Sequence, residues 1–132
     1  MNRLRGNIAS ITVSGSLSLV RVRVPETELS AVVIDTPDTL PWLREGASVG
    51  VVFKETEVIL ASDASVAVSL QNRLVGTVKA VEQGALLSRV TLDTAAGSIV
   101  SVITSRAVEQ LGLQQGDSAV ALIKTNEIML AE

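Results

Sequence analysis

The chain has 132 residues, a hydrophobic content of 47% and a net charge of −3, and it contains neither cysteine nor histidine. Disulfides, thiolate or imidazole metal sites, and catalysis by a cysteine nucleophile or a histidine base are therefore excluded. The acidic balance gives no overall field that would recruit nucleic acid or an acidic membrane, so a bound anion would have to be held by local geometry.

An internal repeat organises the sequence. At an offset of 70 positions, and without gaps, Asn2-Arg3-Leu4-x-Gly6 matches Asn72-Arg73-Leu74-x-Gly76. The repeat predicts two modules, residues 1–63 and residues 64–132. A module of about 65 residues is near the size at which a solitary core is marginal. Each module is therefore expected to depend on its twin, on a partner chain, or on both.

The predicted elements are mostly strands, recognised by apolar alternation or by β-branched residues. In the first module they cover residues 8–13, 20–24, 29–34, 47–53 and 58–60. In the second module they cover residues 76–81, 87–93, 98–104, 118–123 and 128–130.

One short helix is predicted between the third and fourth strands of each module. In the second module it covers residues 105–111 and stops at Gly112; its counterpart covers residues 38–43 and carries Pro41. Residues 62–68 are predicted to form a linker, and their apolar end is expected to start the next strand. These elements predict an all-β chain of two tandem OB-like Greek-key five-stranded barrels, each with one short helix.

Lys54 and Lys124 occupy equivalent places, each directly after an apolar strand. Such a lysine can place its ammonium group in a cleft where the barrel meets a neighbour. The alternative is a lysine at a strand end that extends into water.

Three further features combine hydrogen-bond donors with ordinary structural explanations. Ser69, Gln71 and Asn72 offer hydroxyl and amide groups before a strand, where turn chemistry also favours them. Thr104 is a candidate N-cap, and a helix N-terminus can also face an anion. The turn at Gly84-Ala85 either joins two strands or forms a nest of backbone amides. The acidic turns at residues 55–57 and 125–127 are expected to be solvated.

Together these residues resemble the Mop domain, a molybdate- and tungstate-binding module. The likeness covers nearly the whole chain as two copies and is strongest in the second. The motifs that carry it are the opening Ser69-Leu70-Gln71-Asn72-Arg73-Leu74-Val75-Gly76-Thr77-Val78, the turn Glu82-x-Gly84-Ala85, and the ending Ala121-Leu122-Ile123-Lys124.

The resemblance implies an OB-like barrel in chains that assemble as trimers and hold oxyanions between neighbouring subunits. It implies storage or buffering of molybdate in the bacterial cytoplasm. The implied oxyanion-binding residues come from both copies, with Gly84 and Ala85 assigned to a second type of site near the three-fold axis: Asn2, Lys54, Ser69, Gln71, Asn72, Gly84, Ala85, Thr104, Lys124 and Thr125.

The sequence departs from the Mop pattern at several of these positions. Gln71 replaces an arginine of the family, and Thr125 replaces an alanine. Ile34 and Glu55 stand where the second copy has Thr104 and Thr125. The first copy is therefore expected to be the weaker half, or to contribute to a site mainly through Lys54 and barrel packing.

The donor set suits molybdate, a tetrahedral dianion that only accepts hydrogen bonds. It would be bound as an intact oxyanion, with no metal–protein bond and no covalent cofactor. Four charge-assisted hydrogen bonds at about 1.5–3 kcal/mol each, less ordering costs, give a dissociation constant in the micromolar range. The residues leave the preference between molybdate and tungstate open.

Three other functions compete with storage. The same module occurs in molybdate-responsive regulators and molybdate-import ATPases, so the chain could be the sensing part of a larger system, although a start at Met1 favours a free-standing protein. A nucleic-acid-binding OB protein would need exposed aromatics for base stacking, and only Trp42 and Phe53 are present. An enzyme is disfavoured because no nucleophile–base pair is recognisable.

Overall fold

The computed structural model describes the whole chain from Met1 to Glu132, as ten strands, one α-helix and two short 3-10 turns. The first-copy strands are β1 (Asn2–Ser14), β2 (Leu17–Val24), β3 (Thr27–Val33), β4 (Ser48–Phe53) and β5 (Ile59–Ala61). The second-copy elements are β6 (Asn72–Gln83), β7 (Leu87–Thr94), β8 (Gly97–Thr104), α1 (Ser105–Leu111), β9 (Ser118–Ile123) and β10 (Met129–Ala131). The 3-10 turns cover Glu55–Glu57 and Thr125–Glu127.

The strands form two five-stranded antiparallel sheets, in the orders β10-β4-β1-β2-β3 and β5-β9-β6-β7-β8. Each sheet therefore ends with the last strand of the other copy. Met129 pairs with Val52 in the first sheet, and Ile59 pairs with Leu122 in the second. The division at residues 63 and 64 stays a prediction about the repeat, since the exchanged strands make each sheet from both halves of the chain.

The buried side chains form one apolar cluster of 24 residues that draws on both copies. Phe53 is the largest fully buried side chain, and the remainder are mainly valine, leucine and isoleucine. A shared core agrees with the expectation that each module depends on its twin, because neither half buries this surface alone.

The all-β class and the five strands in each sheet are confirmed. The helix α1 is also confirmed. The hydroxyl oxygen of its N-cap, Thr104, accepts a hydrogen bond from the Ala107 N–H at 3.1 Å, and Gly112 ends it with φ at +64°.

The predicted first-copy helix at residues 38–43 is wrong. This segment forms hydrogen-bonded turns around Thr36 and Leu40, for example from the Leu43 N–H to the Leu40 carbonyl at 2.9 Å. Pro41 lies in its middle, where it has no N–H to donate and disfavours a helical preceding residue.

The linker also differs from the prediction, because the second copy starts regular structure only at Asn72 and residues 66–68 lie outside any strand. The turn at its start is held by the Ser65 N–H, which donates to Asp63 Oδ1 at 2.9 Å. This bond lowers the pKa of the exposed Asp63 carboxyl because it stabilises the charged form.

Candidate functional site

Two equivalent seams join the copies. Seam A is the group formed by Asn2, Lys54 and Glu55 of the first copy against β8 of the second. Seam B is the group formed by Asn72, Lys124 and Thr125 of the second copy against β3 of the first. In each case the 3-10 turn after the lysine packs against the edge strand of the other copy.

An asparagine closes each seam with a pair of hydrogen bonds. The Asn72 side chain donates to the Ser30 carbonyl at 2.9 Å and accepts from the Ser30 N–H at 2.7 Å. Asn2 makes the same two bonds with Val100, both at 2.8 Å. Each amide thus substitutes for a neighbouring strand, and only one hydrogen of its Nδ2 group is left over.

Lys124 and Thr125 of seam B, and Gln71 and Ser69 just before β6, carry donors without a partner in the chain. Ile123 pairs with Asn72, so Lys124 follows directly on β9 while Gln71 lies beside it, before β6. The side chains of Lys124, Gln71 and Ser69 are exposed, and that of Thr125 is half-buried. None of these four side chains makes a hydrogen bond or ion pair within the chain. These groups are available to bind a species that only accepts hydrogen bonds.

The predicted residues Gly84, Ala85 and Thr104 form a separate cluster. The Ser105 hydroxyl donates to the Gly84 carbonyl at 2.7 Å, and Thr104 pairs with Leu87 just after the turn. This cluster lies beyond the last residue of β6, whereas Asn72 is its first. A strand of 12 residues spans about 35–40 Å when straight. One chain therefore does not present both clusters to the same small ion.

Seam A differs from seam B in its charge. Arg89 of β7 donates from Nη1 to Glu55 Oε1 at 2.9 Å, with side-chain exposures of 47% and 22%. The amino nitrogen of Met1 lies 3.7 Å from Glu55 Oε2. The expectation that this acidic turn is merely solvated is wrong for Glu55, because the exchanged topology brings Arg89 of the other copy to it. No sequence signal pairs these two residues.

The structure contains no group of three or more histidine, cysteine, aspartate or glutamate residues placed to hold a metal ion. No helix of the chain is long and apolar enough to cross a membrane.

Comparison with known proteins places these features in a family. Residues 69–130 match the TOBE domain. Molybdenum-pterin-binding protein 3 of Clostridium pasteurianum is 34% identical over 64 residues, which are 48% of this chain and 94% of that protein. The chain belongs to the Mop family of molybdenum-binding proteins.

Two longer relatives extend the Mop similarity to both copies. The molybdenum transport protein ModE of Azotobacter vinelandii is 30% identical over 98% of this chain and 49% of its own length. The cytoplasmic molybdate-binding protein ModG, in a crystal structure with molybdate bound, is 34% identical with a TM-score of 0.91 over 98% of this chain and 94% of that one. The chain spans about half the length of the first curated relatives it matches. The tandem Mop architecture is thus confirmed.

Proposed function

We propose that this protein binds molybdate or tungstate as intact oxyanions, in order to store or buffer them in the cytoplasm. The binding residues are the seam B donors, led by Lys124. The observation that carries the proposal is that Lys124 and Thr125 follow β9 where Gln71 and Ser69 precede its partner β6, and that none of these four side chains has a partner within the chain. Support comes from the Mop relatives, which are named for molybdenum or molybdate.

The chemistry of seam B suits a dianion. Ammonium, hydroxyl and amide groups donate hydrogen bonds, and Lys124 adds a positive charge that no carboxylate of the chain neutralises by an ion pair. Sulfate accepts the same bonds, so selectivity for the larger oxyanion would depend on the size of the site.

The sites are completed between chains in this proposal. Leu19 and Val32 are paired across β2 and β3 and are 38% and 36% exposed, while Leu17 and Ile34 beside them are 44% and 80% exposed. This apolar face adjoins seam B and would be buried by association of the chain with copies of itself. Assembly into a trimer would also bring Thr104 of one chain towards seam B of another, and the Gly84-Ala85 turns towards a second type of site near the three-fold axis.

Titration calorimetry with sodium molybdate, tungstate, sulfate and phosphate tests the binding. We expect micromolar affinity for molybdate and tungstate, and weaker binding of sulfate and phosphate. Lys124→Gln should weaken molybdate binding at least tenfold, because a charge-assisted hydrogen bond contributes about 1.5–3 kcal/mol. Lys79→Gln is the matched control, since Lys79 is an exposed lysine of the same copy that lies at the bulge of β6.

The two variants separate the parts of the proposal. Absence of heat with every oxyanion would refute the function. Normal binding by Lys124→Gln would refute the site while leaving the function intact. Light scattering of the same samples measures the assembly, and a mass of one chain at micromolar concentration would refute the intersubunit site.

A second function is favoured by one comparison. Because the chain covers only 49% of the ModE relative, it could act as the ligand-sensing part of a molybdate-responsive regulator or of a molybdate-import ATPase. An immunoblot of the source cells distinguishes the two. A band near 13.8 kDa supports a free-standing storage protein, and a much larger band supports the sensing role.

A further inference from the structure

We propose that Glu55 excludes oxyanions from seam A, so that the two copies, although built alike, bind ligand only at seam B. This inference rests on the function proposed above and deepens it, since it identifies one residue that sets how many ions each chain holds.

The backbones of the two seams match. Lys54 precedes its 3-10 turn with φ −74° and ψ 147°, and Lys124 precedes the other with φ −73° and ψ 143°. Each turn is closed by the same hydrogen bond, from the third turn residue to the carbonyl of the lysine, at 3.0 Å. The asparagine bonds to the opposite edge strand are also the same. The seams therefore differ in their side chains: Glu55 replaces Thr125 directly after the lysine, and Met1 replaces Gln71 beside it.

The Glu55 carboxylate is held in seam A by a partner that seam B lacks. Arg89 donates to it at 2.9 Å, and the repeat places Leu19 where seam B would need this arginine. The side chain of Glu55 is only 22% exposed, so it is held against Arg89 rather than extended into water. Seam A thus contains its own anion, supplied by the chain.

Two effects of this carboxylate oppose a bound oxyanion. Its negative charge repels a dianion placed in seam A, and it occupies the Nη1 donor of Arg89, whose Nε already lies 3.6 Å from Glu82 Oε2. Thr125 has neither effect, because its hydroxyl is uncharged and can itself donate a hydrogen bond.

The test is the number of molybdate ions bound per chain, measured by calorimetry on the full chain. Glu55→Thr copies the seam B residue into seam A and also releases the Nη1 donor of Arg89, while Glu82 stays 3.6 Å from Arg89 Nε. We expect it to bind more molybdate per chain than the wild type, with the added sites weaker than the original ones because Met1 stands where seam B has Gln71. Adding Lys54→Gln to this variant should remove the added sites and leave the original ones.

Glu45→Gln is the matched control. Glu45 is an exposed carboxylate in a turn of the same copy, so this variant makes the same change in net charge away from both seams. It should keep the wild-type number of ions. An equal gain in Glu45→Gln would show that net charge alone is responsible and would overturn the inference.

The reciprocal change keeps the inference testable if Glu55→Thr folds poorly. Thr125→Glu should weaken molybdate binding at seam B at least tenfold, and wild-type binding by this variant would overturn the inference. If the wild type binds molybdate but Glu55→Thr folds and gains no sites, the inference fails and the proposed function stands. If the wild type binds no oxyanion, the proposed function itself fails.

Discussion

Replacing Asn72 by alanine is expected to destabilise the fold strongly, although the change removes only a small polar group. Asn72 is 1% exposed, and its amide satisfies both the N–H and the carbonyl of Ser30 on the edge strand of the other copy. Alanine leaves these two backbone groups without partners in a partly buried place. At about 1–3 kcal/mol for each unsatisfied group, the expected loss in the free energy of unfolding is about 2–6 kcal/mol.

Urea unfolding followed by the fluorescence of Trp42 measures this loss. The protein concentration has to be fixed, because association would add to the apparent stability. Asn7→Ala is the matched control, since Asn7 is exposed and its amide makes a single long bond of 3.4 Å to the Gly46 carbonyl. The control should change the free energy of unfolding by less than about 0.5 kcal/mol.

The comparison has a clear negative outcome. If Asn72→Ala unfolds at the same urea concentration as Asn7→Ala, the two bonds to Ser30 do not hold the copies together. A variant that keeps wild-type stability but loses molybdate affinity would instead show that Asn72 acts through its remaining amide hydrogen.

Three further predictions concern the packing and the exchanged strands. A Cβ at Gly76 would lie 2.6 Å from a backbone carbonyl oxygen of β7, so Gly76→Ala should lower the free energy of unfolding by about 3 kcal/mol. In the control Gly112→Ala, where φ is +64° but space is open, the free energy of unfolding should fall by only about 1 kcal/mol. Equal losses in the two variants would contradict the clash at Gly76. Phe53→Ala should lower the free energy of unfolding in urea by about 3–5 kcal/mol, because the ring is fully buried in the shared core. Phe53→Leu should lower it by less than about 1.5 kcal/mol. If Phe53→Ala also lowers it by less than about 1.5 kcal/mol, the burial of the ring is refuted. Deleting residues 129–132 removes β10, so hydrogen exchange should accelerate in its partner β4 and not in β9; the reverse pattern would refute the strand exchange.

Much of the fold follows from local sequence patterns. Alternation and β-branched residues located all ten strands, and the pattern of Thr104 followed by an apolar helix and Gly112 fixed the bounds of α1. These features depend on neighbours close in sequence, such as the cap bond over three residues. The prediction of a first-copy helix was wrong for a local reason as well, because Pro41 disfavours the helix that the repeat indicates.

The roles of the site residues could not be predicted from local sequence patterns. Asn2 and Asn72 look like donors at a strand entrance, and the structure shows that their amides are bound to the opposite copy. The ion pair between Glu55 and Arg89 joins residues 34 positions apart that no local pattern relates. The repeat was enough to single out Lys124, but only the structure shows that its ammonium group has no partner within the chain.

The amino-acid sequence alone determined the repeat, the strand pattern and the chemistry excluded by the lack of histidine and cysteine, because these depend on composition and short-range order. Only the tertiary structure decided that β5 and β10 change places, since two copies with the same order of strands offer equivalent edges for the last strand and local preference does not choose between them. That exchange places each lysine against the edge strand of the other copy, where one seam faces Arg89 and the other an apolar surface. The difference between the two seams is therefore a property of the folded chain.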